Sequence, residues 1–167
     1  MKLGRLAWWS GKVRRFRSYL AARVTDAERG HLSEWLTPAQ LVVFDRMQVA
    51  DRRHGLDVVA ALRAEGIGET DVLMAGLLHD AGKGSTGVLA RIVHSLGQAY
   101  GTSIPRLVGH LPGMADALSR LAEHPELSAR LAEAAGCSAR TVELIRWQED
   151  PRDLEYGDRL RLADEAN

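Results

Sequence analysis

Apolar residues recur along this chain at intervals of three and four and almost nowhere alternate strictly. That rhythm predicts amphipathic helices rather than strands. "TDAERGHLSEWL" (25–36) reads as a helix N-capped by Thr25, with Glu28 in the capping-box position. Thr37 caps the next, "TPAQLVVFDRM" (37–47), and Pro38 takes its first helical position. In "VADRRHGLDVVAALRAEG" (49–66), Val49, Leu56, Val59 and Leu62 mark a buried stripe and Gly66 marks the stop. Helices follow over 69–82 and over 87–101, the latter with Leu89, Ile92, Val93 and Leu96 in register. The pattern then gives 113–124, a separate helix over 125–136 opened by Pro125, and helices over 138–150 and 157–167. Short connections between so many helices predict a compact all-α bundle. No internal repeat, low-complexity tract or long linker interrupts it.

Composition narrows the class. A chain of 167 residues suits one domain with a sizeable core. With 22 Lys and Arg against 22 Asp and Glu, net charge gives no argument for a nucleic-acid partner. Cys137 is the single cysteine, which excludes an intramolecular disulfide and a cysteine-based zinc site. It fits a reducing compartment, so a cytoplasmic protein is expected. No apolar run approaches the roughly 18 residues of a membrane span.

The charge is unevenly spread. Residues 1–23 carry Lys2, Arg5, Lys12, Arg14, Arg15, Arg17 and Arg23 and no acid, with Leu6, Trp9, Val13, Phe16 and Leu20 at helical spacing. Two readings follow: a basic helix that touches a membrane surface or a partner, or a terminal helix that docks its apolar stripe on the domain. The second is preferred. It divides the chain into a basic amphipathic helical extension (1–36) packed on a helical domain (37–167). Lys12 and the arginines break the apolar stretch too early for a secretory signal.

Candidate chemistry lies with the histidines. His31, His54, His79, His94, His110 and His124 fall on different elements, and none forms an i, i+4 pair. A zincin-type site is therefore excluded, and any metal site must be assembled from several helices. His31 and His94 read as exposed positions on amphipathic helices, and His110 as a structural residue by a turn. His54 lies on a stripe shared with Val58 and Leu62. His79 and Asp80 end "LMAGLLHD", a run apolar on every face. A buried carboxylate is costly without a partner, and the C-terminal end of a helix disfavours an anion. A divalent cation would offset both penalties.

In order, "RRHGLDVVAAL", "DVLMAGLLHDAGKG", "HPELSARLAEAAG" and "LRLADEAN" resemble the HD domain superfamily of metal-dependent phosphohydrolases, whose pattern is H…HD…D on a helical bundle. The resemblance covers about residue 37 to the C-terminus. It implies His54, His79, Asp80 and Asp164 as ligands of one divalent ion (Mn, Mg, Fe, Co, Ni or Zn), with Asp158 the competing choice for the last. It implies Asp80 and Lys83 as catalytic groups: Asp80 orienting or deprotonating water, Lys83 meeting a phosphate. Arg53 and His124 are further phosphate candidates, although His124 also suits a cap for a helix starting at Pro125. The HD-GYP phosphodiesterases are similar at "HPELSARLA", but their later histidine pair falls where Trp147 and Gln148 stand, and the Gly-Tyr-Pro segment is missing. That departure argues against a full two-metal site and against cyclic-dinucleotide cleavage. The resemblance thus implies a phosphohydrolase for a small phosphorylated metabolite, with a nucleotide as the expected substrate. A non-catalytic regulatory module that binds metal and nucleotide is the alternative.

Overall fold

The computed structural model describes residues 22–101 and 103–167, and among them it is all-helical. The basic stretch over 1–21 lies outside the described residues. Helices α1 (Asp26–Leu32) and α2 (Pro38–Arg46) each begin with a complete capping box, Thr25 with Glu28 and Thr37 with Gln40. They are followed by α3 (Val49–Ala64) and α4 (Thr70–Leu78). A single 3-10 turn (Ala81–Lys83) leads into α5 (Val88–Tyr100). Next come α6 (Ser103–Val108), which the sequence pattern does not predict, and α7 (Met114–Ala134). The chain ends with α8 (Ala139–Arg146) and α9 (Gly157–Ala166).

The architecture follows from α4. Every residue from Val72 to Leu78 is buried, as expected of a helix apolar all round. It packs against α2, α3, α8 and α9, and Leu77, Leu78, Val58, Leu62, Phe44 and Ile145 form the fully enclosed heart of the main core. Leu32 and Leu36 are buried in the same core. A smaller cluster of Ala90, Met114 and Leu121 holds α5 against α7.

Residues 113–136 form one helix where the sequence predicts two. Pro125 lies inside α7, although proline removes the N–H that should donate to the carbonyl four residues back. That carbonyl belongs to Leu121, and His124 supplies the missing donor: its Nδ1–H reaches Leu121 O at 2.8 Å. The helix continues because the orphaned acceptor is satisfied by the neighbouring imidazole. His124 therefore caps no helix.

Candidate metal centre

Three helices deliver the candidate ligands. His54 stands on α3, His79 directly follows α4, and Asp164 lies in the last turns of α9. Gly55 makes the α3–α4 approach possible, because a Cβ there would lie 2.5 Å from the Leu77 carbonyl oxygen. One donor atom from each of His54, His79 and Asp164 falls within 4.8 Å of the others, so this group could hold a metal ion. His54 Nε2 lies 2.7 Å from Asp164 Oδ1, and His79 Nε2 lies 3.4 Å from the same oxygen. The His54 and His79 rings meet edge-on, 5.2 Å between centroids. Asp158, the competing choice for the last ligand, is 79% exposed and pairs with Arg161 instead.

Asp80 stands beside this trio. Its Oδ1 is 3.5 Å from both His79 Nε2 and His124 Nε2, while its Oδ2 accepts a hydrogen bond from Lys83 Nζ at 2.6 Å. The two oxygens thus face different neighbours. Among the described residues, three buried side-chain atoms lack a hydrogen-bond partner: His79 Nε2, Asp80 Oδ1 and Arg52 Nε. Buried polar atoms are nearly always satisfied. Two adjacent exceptions on a histidine and an aspartate fit a donor set built for a cation.

The histidine tautomers are set by leftover helix carbonyls. α4 ends at Leu78, leaving the Gly76 carbonyl without its i+4 partner, and His79 Nδ1–H donates to it at 2.9 Å. His124 does the same with Leu121. With Nδ1–H committed in each ring, Nε2 faces Asp80 and carries the lone pair whenever the ring is neutral. Such anchoring is how ligand histidines are commonly oriented. For His124 it has a second consequence. A phosphate oxygen needs a donor, and a neutral Nε2 accepts. Burial and the nearby Lys83 charge both push the His124 pKa down. The ring therefore suits a cation or a water O–H better than the phosphate role the sequence suggests.

Electrostatics bind the cluster tightly. Burial disfavours a charged His79, yet the Asp80 and Asp164 carboxylates outweigh it and lift its pKa to about 9. Burial would raise Asp164, but the hydrogen bond from His54 and the adjacent His79 ring hold it far below the usual carboxylate range. Asp80 is likewise held low against burial by the charges of His79 and Lys83. Protons and a divalent ion compete for such a donor set.

The centre lies in a cleft of about 790 Å³. Lys83 and Arg53 both line it. Arg53 is already engaged, donating to Glu28 at 2.5 Å and pairing with Asp57 at 2.9 Å. The sequence places His94 on an exposed face; it is instead half-buried and lines this cleft with its α5 neighbours Arg91, Ser95 and Gln98. His31 and His110 are exposed, and neither lines the cleft. Sequence reasoning passed over Gln148 as a functional residue, reading it only as a poor ligand. It is buried, lines the cleft, and its amide donates to the His79 carbonyl at 3.2 Å. Asp51, also unnoticed, sits one turn before His54 and is buried against Arg91. Its only sequence signal is the i, i+3 spacing to His54. Trp147 turns away from the centre, its Nε1–H donating to Glu143 and its ring lying under Arg152.

Compared with protein-family models, with curated proteins and with solved structures, the chain matches none. Among the described residues, no helix is long and apolar enough to cross a membrane.

Proposed function

We propose that this chain is a metal-dependent phosphohydrolase of the HD type, acting on a small phosphorylated metabolite of nucleotide size. The observation that carries the reading is the pair of orphaned ligand atoms, His79 Nε2 and Asp80 Oδ1, beside His54 and Asp164 in a polar cleft. A divalent cation held by His54, His79 and Asp164, with Asp80 Oδ1 alongside, supplies Lewis acidity towards a phosphoryl oxygen and a nucleophile from water at neutral pH. The chain's own residues do the rest. Lys83, only 25% exposed, holds a full positive charge at the cleft because burial is outweighed by the Asp80 carboxylate. Phosphoryl transfer depends chiefly on positioning and charge stabilisation, and a fixed ammonium facing a phosphate provides both. Asp80 Oδ1, unpaired and facing the candidate ligands, would orient the attacking water. His124 Nε2, an acceptor 3.5 Å from Asp80 Oδ1, is placed to take a second hydrogen bond from the same water.

The test combines metal analysis with a phosphate-release screen. Purified protein should bind about one divalent ion and release phosphate from a subset of nucleotides or sugar phosphates when metal is added. His79→Ala and Asp80→Ala should remove both metal and activity. Full metal occupancy in both variants would overturn the reading. Metal and nucleotide binding without turnover would assign the chain to the regulatory alternative.

A further inference from the structure

We infer that Asp51 and Arg91 form a clamp that positions Lys83 for its phosphate, making Arg91 a positioning residue of the cleft. The inference rests on the proposed phosphate chemistry and adds a part that the HD pattern does not name. Asp51 is only 4% exposed, and it meets Arg91 through two parallel contacts of 2.5 and 2.8 Å. This fork geometry is specific to a guanidinium. The remaining donors of Arg91 turn to the loop that follows Lys83: Nε reaches Thr86 Oγ1 at 3.1 Å and Thr86 O at 3.3 Å, and Nη2 reaches Gly84 O at 3.4 Å. One side chain on α5 thus joins the turn of α3 before His54 to the loop beside Lys83.

The other side of Lys83 is pinned as well. The Gly82 N–H donates to Ser128 Oγ at 2.8 Å, and the Gly82 carbonyl accepts from Arg120 Nη1 at 3.1 Å. Gly82 fits there because a Cβ would lie 2.5 Å from the His124 carbonyl oxygen. Lys83 is therefore held between Gly82, fixed by α7, and Gly84, fixed by Arg91 and through it by Asp51. A lysine is a flexible point charge on four carbons, and it gains direction only from what restrains it. Asp51 is buried, Arg91 is half-buried over it, and both lie on the cleft wall.

The experiment is a double-mutant cycle between Arg91→Lys and Lys83→Ala, read by calorimetric binding of inorganic phosphate to metal-loaded full-length protein and by kcat/KM on the best substrate of the screen. Arg91→Lys keeps the charge and one contact to Asp51 but loses the fork and the loop contacts. It should retain wild-type metal content, while phosphate affinity and kcat/KM fall about tenfold, the size of one well-placed contact. Asp51→Asn should fall in the same direction. The double variant should be no worse than Lys83→Ala alone, because Arg91 acts through Lys83. Additive losses would overturn the clamp, as would wild-type phosphate affinity in Arg91→Lys, or a loss of metal in step with phosphate. A lowered melting temperature with unchanged phosphate affinity would show a structural pair and nothing more. Wild-type protein that binds no metal would defeat the proposed function itself. If it binds metal but no phosphate, both the function and the clamp fall.

Discussion

The two walls of the cleft are built differently. One carries His54, His79 and Asp164 on or beside α3, α4 and α9, which share the main core. The other is α5, lined towards the cleft by Arg91, His94 and Ser95. It rests on a satellite cluster of Ala90, Met114 and Leu121 and leaves Leu89 and Ile92 exposed at 58% and 43%. Local stability follows buried apolar contact. The ligand wall is therefore the rigid part, and the α5 wall depends more on the Asp51–Arg91 ion pair. The difference teaches a division of labour: packing fixes the candidate ligands, while polar contacts fix the opposite side of the cleft.

The largest expected effect breaks the ligand wall. Leu77 is fully enclosed, next to the backbone that Gly55 approaches. Leu77→Ala should cost about 2–5 kcal/mol, as other large-to-small core changes do. Ile92→Ala, on the α5 wall, should stay within about 0.5 kcal/mol. Urea unfolding of the two variants measures both, and equal losses would erase the contrast between the walls.

A second change separates stability from function. Pro125→Ala restores an N–H able to reach Leu121 O, which His124 Nδ1–H now occupies. Removing an interior helix proline should stabilise the protein by about 1–3 kcal/mol, less than the full proline penalty because the carbonyl is already satisfied. The His124 ring then loses its sole claim on that acceptor, and phosphate release should fall. Denaturant midpoints and initial rates read the two effects. A variant that is both less stable and fully active would show that the proline and the imidazole are unconnected.

These examples also mark what the sequence could reveal. The Thr25–Glu28 capping box and the Thr37 N-cap are local signals, legible as patterns before any tertiary contact is known; the Gln40 half of the second box is added by the structure. The all-helical fold was legible for the same reason. His54, His79 and Asp164 could be singled out because two sat among apolar neighbours and all three fell on a known order of residues; their approach to within 4.8 Å is a tertiary fact. Pro125 misled because proline usually opens a helix, and nothing local announces that the preceding histidine will satisfy the freed carbonyl. His94 looked exposed because one turn of an amphipathic helix cannot say that a second wall faces it. Asp51 and Arg91 are 40 residues apart, and no period connects them.

The smallest expected effect probes the edge of the ligand wall through Glu28. A hydrogen bond from Arg53, then those from Thr25, lower its pKa from 4.5 to about 2. A folded-state pKa below the unfolded value means that the contact stabilises above pH 4.5 and is lost as the pH falls towards about 2. Glu28 is 36% exposed, so solvent screening keeps the contribution below about 1 kcal/mol. Glu28→Gln should flatten the fall in stability across that window, seen as a smaller drop in urea midpoint between about pH 5 and about pH 2.5. At neutral pH the same substitution weakens one of the two carboxylate contacts on Arg53, beside His54. Tighter phosphate binding in Glu28→Gln would then show that the ligand wall holds an arginine in reserve. Unchanged binding would leave phosphate recognition to Lys83 and the clamp across the cleft.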